Sequence, residues 1–151
     1  MDAGYSYREA VVRGASPARL VLCLYEQAIE DLRRAIVAQE SGDVEGRTRG
    51  VNHALLVIAH LQGTLDMERG GEVAKNLSKF YSVIRAGIIE AHAQQSATMI
   101  ERQISHLALV HEAWLEVDRA TSPAAPESNA AAQTGKNDPA PLESSFVGWN
   151  A

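Results

Sequence analysis

The placement of proline constrains the fold of this chain more than any other feature. Pro17 lies near the start, and the other four prolines all follow residue 120. Proline lacks a backbone N–H and its ring clashes with the preceding helical turn, so a long stretch without it is open to continuous helix. Residues 18–122 form such a stretch. We therefore predict a helical domain over residues 1–120 and a separate tail over residues 121–151.

The predicted tail is rich in Ala, Pro, Ser, Asn and Gln and has few large apolar residues. Such a segment cannot bury enough apolar surface to offset its chain entropy, so we expect it to be disordered. Its Phe146-Val147-Gly148-Trp149 segment is compatible with a short docking motif, with a cover for a groove, and with an inert tail.

Within the domain, four segments repeat apolar residues at every third or fourth position, which is typical of amphipathic helices. The first begins at Ser16-Pro17, an N-cap hydroxyl followed by proline at the first helical position, and runs to about Glu40. The second covers about residues 44–67 and is ended by Gly70-Gly71, the third follows it, and the fourth covers about residues 96–119. The predicted core positions, helix by helix, are Val21, Tyr25, Ala28, Leu32 and Ile36; Val51, Leu55, Ile58 and Leu65; Val73, Leu77, Phe80, Ile84 and Ile88; and Ile100, Ile104, Leu107, Val110, Trp114 and Val117.

The lengths of these helices and of their connections predict the architecture. No segment alternates with a period of two, so strands are not predicted. Long helices joined by loops of a few residues fold back antiparallel on one another. We predict an all-α, antiparallel four-helix bundle, with residues 5–12 as a short N-terminal helix or an extended strap.

Charge and composition exclude several classes of protein. The net charge of -5 and a pI near 5.5 argue against a nucleic-acid surface, which needs clustered Lys and Arg. No stretch approaches the roughly 18 apolar residues of a membrane span, and no secretory signal is visible at the N-terminus. Cys23 has no second cysteine to pair with, which fits a reducing cytoplasm.

Catalytic and metal-binding patterns are not found in the sequence. The five histidines lack the Glu-x-x-His spacing of bundle metal sites, and His111-Glu112 has Leu115 where a zinc protease helix needs its second histidine. Cys23 stands in an apolar run, which predicts a buried structural thiol. We therefore predict no enzyme activity, no metal and no cofactor; the rival hypothesis, an enzyme or metal carrier built on a bundle, calls for metal analysis of the purified protein.

The apolar residues exceed what a bundle core requires. Residues 20–25 are six consecutive apolar residues, residues 55–59 are again wider than one stripe, and Ile89 and Leu109 lie off the main seams. Two explanations are open: scattered surface apolar residues, or an exposed groove that receives an apolar helix of another protein. Gly63 and Gly87 permit close approach of another backbone, either from a partner or within the bundle.

Several stretches of the sequence resemble the flagellar export chaperone family FliS. They are residues 15–20, residues 24–29 and residues 65–81, with His111-Glu112-Ala113-Trp114 closing the last helix. The resemblance covers about residues 7–117. Its most specific part is the run Leu-Asp-x-Glu-x-Gly-x-Glu-x-Ala-x-Asn-Leu that starts at Leu65. The chain departs from the family around residues 91–94, where the family often has Asn and acidic residues.

This resemblance implies a function. Members of the family are four-helix bundles that bind the C-terminal segment of flagellin in the cytoplasm, keep it from polymerising early and help deliver it to the flagellar type III export gate. The apolar excess would then be the groove for flagellin's helices. Tyr7 would lie over that groove when no client is bound, or anchor the N-terminus. Asn76 would bond a neighbouring connection or the client's backbone.

We therefore predict a cytoplasmic export chaperone with flagellin as its partner and the export gate as a further one, without nucleic-acid binding or membrane insertion. The alternative is a generic helical-bundle adaptor for another amphipathic client helix. The candidate partner-binding residues are Tyr7, Leu22, Tyr25, Leu56, Val57, Leu61, Asn76 and Tyr81.

Overall fold

The computed structural model describes the backbone of residues 3–121 and the side chains of residues 7–121, and this part of the chain is an all-α bundle without strands. The predicted fold class is confirmed. The predicted tail lies outside the described residues, apart from Thr121 at the end of the last helix. The helices are α1 (Ala3–Val12), α2 (Pro17–Glu40), α3 (Val44–Gly63), α4 (Gly71–Ala93) and α5 (Ala97–Thr121).

The four long helices form a ring in which each packs against two neighbours. Helix α2 packs against α3 and α5, and α4 packs against the same two helices from the other side. Short connections make each neighbouring pair antiparallel. The short helix α1 packs on the outside of α2. Helix α2 therefore has three helical neighbours, more than any other helix of the bundle.

Local capping residues fix where the helices begin. The Ser16 hydroxyl accepts the backbone N–H of Arg19 at 3.2 Å, and Pro17 is the first residue of α2, as the sequence predicts. The Asp43 carboxylate accepts the backbone N–H of Gly46 at 2.9 Å at the start of α3. These side chains satisfy backbone donors that have no partner inside the helix.

The end of α3 and the exposure of Val73 differ from the prediction. Helix α3 ends at Gly63, because the Asp66 carboxylate accepts the backbone N–H groups of Glu68 and Arg69, both at 3.0 Å, and holds the chain in a turn. The glycine pair opens α4 and does not end α3; Gly71 has a φ of +58°. Val73 is 55% exposed in the first turn of α4, where the next residue, Ala74, is the one that faces the core.

The core joins all four long helices. The Tyr25 hydroxyl of α2 donates to the Tyr81 hydroxyl of α4 at 2.9 Å across the centre of the bundle. Burial raises the pKa of both phenols, that of Tyr81 to about 12. Most of the remaining predicted core positions are buried or packed against the core: Val21, Ala28, Leu32, Ile36, Val51, Ile58, Ile84, Ile88, Ile100, Leu107 and Trp114 are buried, and Leu55, Leu65, Leu77, Phe80, Ile104, Val110 and Val117 are partly buried.

Candidate binding surface

Five of the eight predicted partner-binding residues belong to the hydrophobic core and not to a surface: Leu22, Tyr25, Val57, Leu61 and Tyr81. Leu22, Tyr25 and Tyr81 are almost fully buried inside the bundle. The prediction that the apolar excess of α2 is exposed is therefore wrong. Its physical explanation is that α1, α3 and α5 cover α2 from three sides, so six consecutive apolar residues find neighbours within the same chain.

The remaining three predicted residues, Tyr7, Leu56 and Asn76, lie at separate places. Val57 and Leu61 are buried on α3, whereas Leu56, directly before Val57, is 67% exposed on the outer face of the same helix. Asn76 is exposed on α4. Tyr7 is half-buried on α1. The eight residues do not form one continuous surface.

Tyr7 ties the short helix α1 to α3. Its ring stands edge-on to the imidazole of His60, with the ring centroids 6.4 Å apart and an interplanar angle of 89°. Since α1 also packs against α2, it lies over the outer groove between α2 and α3. An isolated helix of 10 residues is marginal in water, so α1 depends on this docking for its stability.

The register of α2 and α3 places apolar side chains along this groove. Val57 shares a face of α3 with His60 and His53, which are three and four residues away. The Nδ1 atom of His53 lies 2.5 Å from the Asp31 carboxylate, so this face of α3 is the one that meets α2. Leu24, seven residues before Asp31, lies on the matching face of α2 and is partly buried. Next to these histidines, the groove that α1 covers contains the apolar side chains of Val57 and Leu24.

The groove becomes polar toward the α2–α3 connection. Asp31 is buried there and accepts a hydrogen bond from the Gln27 amide at 2.9 Å, in addition to its contact with His53. Burial raises the pKa of the Asp31 carboxyl, and the hydrogen bond and charge of His53 act in the opposite direction. A cleft of about 770 Å³ opens at this end between the two helices.

Cys23 is buried on α2, as the sequence predicts. Burial raises the pKa of its thiol, and the nearby Glu26 carboxylate raises it further. A thiol with a raised pKa is a poor nucleophile. Cys23 is therefore a packing residue.

Close approach of helix backbones is found at a glycine that the sequence analysis did not single out. A Cβ added to Gly50 would lie 2.8 Å from the backbone oxygen of Asp31, so α3 and α2 approach closely there. A Cβ on Gly87 would meet the side chain of Gln103 on α5, which favours the explanation within the bundle. Gly63 faces open space. The sequence pattern shows that these glycines lie in helices, but it does not show which residues of other helices pack beside them.

The part of the chain that the structure describes shows neither a metal-binding group nor a membrane-spanning helix. Residues 7–121 contain no group of three or more His, Cys, Asp or Glu side chains that could hold a metal ion. None of the described helices is both long and apolar enough to cross a membrane.

Comparison with known proteins gives the class of the molecule. The model of the family described as flagellar protein FliS matches residues 1–121. The flagellar secretion chaperone FliS of Salmonella typhimurium is 34% identical over 110 residues, which cover 72% of this chain and 82% of that protein. The chaperone FliSB of Pseudomonas aeruginosa is 31% identical over 106 residues, 70% of this chain and 84% of its own length. FliS of Campylobacter jejuni is 34% identical over 113 residues, 75% and 87% of the two chains.

The helical bundle is thus similar to flagellar secretion chaperones, a class of binding proteins. With the family model matched over the whole described domain, the chain belongs to the FliS family. This membership supports a role in flagellar export, and a family of chaperones fits a protein without enzyme activity.

Proposed function

We propose that this protein is a cytoplasmic flagellar type III export chaperone that binds the C-terminal helical segment of flagellin. Binding prevents premature polymerisation and keeps the client ready for the export gate. The observation that carries the proposal is the short helix α1 lying over the α2–α3 groove, with Tyr7 against His60. The relatives, named flagellar secretion chaperones, support the same role.

Exchange of one helix for another explains how the groove works. In the free protein α1 shields apolar side chains of α2 and α3 that would otherwise promote aggregation. A client helix that buries more apolar surface than α1 displaces it, because ten residues make few contacts to lose. A client that folds on binding spends about 2–5 kcal/mol on ordering, so its contacts must exceed those of α1 by at least that amount.

Tyr7 contacts His60 on α3. Leu56 lies four residues before His60, on the same side of this helix, and is exposed. We expect Leu56→Glu to weaken binding of the flagellin C-terminal segment about tenfold, since a charge at the rim of the groove must be desolvated by the client. Titration calorimetry with the full chain measures the Kd.

The matched control is Leu109→Glu on α5, which is 69% exposed and carries the same change. Helix α5 is not a wall of the α2–α3 groove, so this variant keeps the Kd of the wild type. Equal weakening by both variants would contradict the assignment of the groove.

A substitution at Tyr7 is expected to strengthen client binding, in contrast to the one at Leu56. Tyr7→Ala removes the ring that packs on His60, so α1 competes less well and flagellin binds about three- to fivefold more tightly. Val12→Ala, on the same helix at an 84% exposed position, leaves the Kd unchanged. Weaker binding of the Tyr7→Ala variant would mean that Tyr7 contacts the client and does not compete with it.

The specific client is tested by truncation. Flagellin without its C-terminal segment is expected to show no binding in the same titration. Unaltered binding of the truncated flagellin would favour the alternative function, a helical adaptor for another amphipathic segment.

A further inference from the structure

The groove between α2 and α3 continues past α1 as an open, charged cleft of about 770 Å³. Four arginines line it: Arg8 of α1, Arg33 and Arg34 of α2, and Arg49 of α3. The chain as a whole has a net charge of -5. Because Glu30, Asp31 and Asp43 also line it, the cleft carries a small excess of positive charge on an otherwise acidic protein.

The acidic residues of the cleft are already engaged by other groups. The Glu30 carboxylate pairs with Arg34 at 3.3 Å. The Asp31 carboxylate contacts His53, and the Asp43 carboxylate accepts a backbone N–H as the N-cap of α3. None of these three carboxylates forms an ion pair with Arg8, Arg33 or Arg49 in the described part of the chain.

Three arginines and one amide have unused bonding capacity. Arg8, Arg33 and Arg49 line the cleft without an ion pair to any residue in the described part of the chain. Gln27 also lines the cleft and is 4% exposed, and its Oε1 atom has no hydrogen-bond partner among the described residues although its Nε2 atom donates to Asp31. A buried amide oxygen without a donor is costly, so its presence in a cleft indicates a ligand that donates.

We propose that this cleft binds an acidic stretch of the client polypeptide, next to the apolar client helix that takes the place of α1 in the groove. Side-chain carboxylates pair with the guanidinium groups of Arg33 and Arg49, for which Arg offers two parallel N–H donors. A peptide also supplies backbone N–H groups, which the Gln27 oxygen accepts. The proposal rests on the proposed function and adds to it the charge pattern that a client must carry.

The test uses the full chain and the C-terminal segment of flagellin from the same organism. The variant Arg33→Gln/Arg49→Gln removes two charges from the cleft, and Arg102→Gln/Arg119→Gln removes two from exposed positions on α5 as its matched control. We expect the cleft variant to raise the Kd about tenfold at about 50 mM salt and about threefold or less at about 500 mM, because salt screens exposed charges. The control variant changes the Kd less than about twofold.

A second arm uses the same flagellin segment with its Asp and Glu residues replaced by Asn and Gln. It is expected to bind the wild type about tenfold more weakly and to show no further loss with the cleft variant, which is the signature of coupled partners. The proposal is overturned if cleft and control variants bind alike, or if the cleft variant loses affinity equally for both segments. Failure of the proposed function is a different result, in which the wild type and the α5 control bind no flagellin at all, and the cleft proposal then falls with it.

Discussion

Between pH 10 and pH 12 the free energy of unfolding is expected to fall by roughly 4 kcal/mol. The cause is the Tyr25–Tyr81 pair at the centre of the bundle. Burial raises the pKa of Tyr81 to about 12 and that of Tyr25 further, and the adjacent Tyr81 phenol also raises the pKa of Tyr25. An unfolded tyrosine has a pKa near 10.

The sign follows from which state holds the protons. Below pH 10 both phenols are protonated in the folded and unfolded states, so the pair adds no pH dependence. Above pH 10 the unfolded chain releases two protons that the folded protein retains, and stability is lost until the folded pKa values are passed. Urea unfolding at a series of pH values, followed by circular dichroism, measures this slope.

The control is the double variant Tyr25→Phe/Tyr81→Phe, which removes both partners of the hydrogen bond and both titrating groups. Its unfolding free energy should lack the steep fall above pH 10. The single variant Tyr25→Phe leaves the Tyr81 hydroxyl buried without its partner and costs about 1–3 kcal/mol at neutral pH. Identical alkaline slopes for the wild type and the double variant would rule out the buried pair as the cause.

Gly50→Leu is expected to destabilise the bundle by about 3 kcal/mol, and Gly50→Ala by about 1–3 kcal/mol. A Cβ at this position lies 2.8 Å from the Asp31 carbonyl oxygen and 3.2 Å from the Ala35 Cβ atom, and the backbone oxygen cannot rotate away as a flexible side chain would. The steric cost exceeds the gain of about 1 kcal/mol that alanine has over glycine in a helix.

Gly63→Ala provides the matched comparison on the same helix. Nothing lies within 4 Å of the added methyl group, so the higher helix propensity of alanine is expected to stabilise the protein by about 0.5–1 kcal/mol. Thermal and urea unfolding of both alanine variants separates the two effects. Shifts of the same sign would show that helix propensity, and not the α2–α3 approach, decides both.

The candidate site was predictable only in part. The resemblance drew attention to Tyr7, and α1 does bring this residue onto α3. The prediction that Leu22 and Tyr81 lie on a binding surface is wrong, because the width of an apolar run does not reveal how many helices surround it. The arginine cleft was missed because Arg8, Arg33 and Arg49 come from three different helices and are far apart in the sequence.

The sequence alone determined the helices and their order. Ser16 and Pro17 start α2 by satisfying or removing helix N-terminal donors, and the absence of proline up to Ser122 lets long helices form. Capping and the effect of proline act within a few residues of the chain, so helices can be predicted from the local sequence. Which faces are covered was decided by the tertiary structure. Leu22 and Leu56 are both apolar residues in wide apolar runs, yet one is buried and the other exposed, because burial depends on which helix packs alongside and at what register.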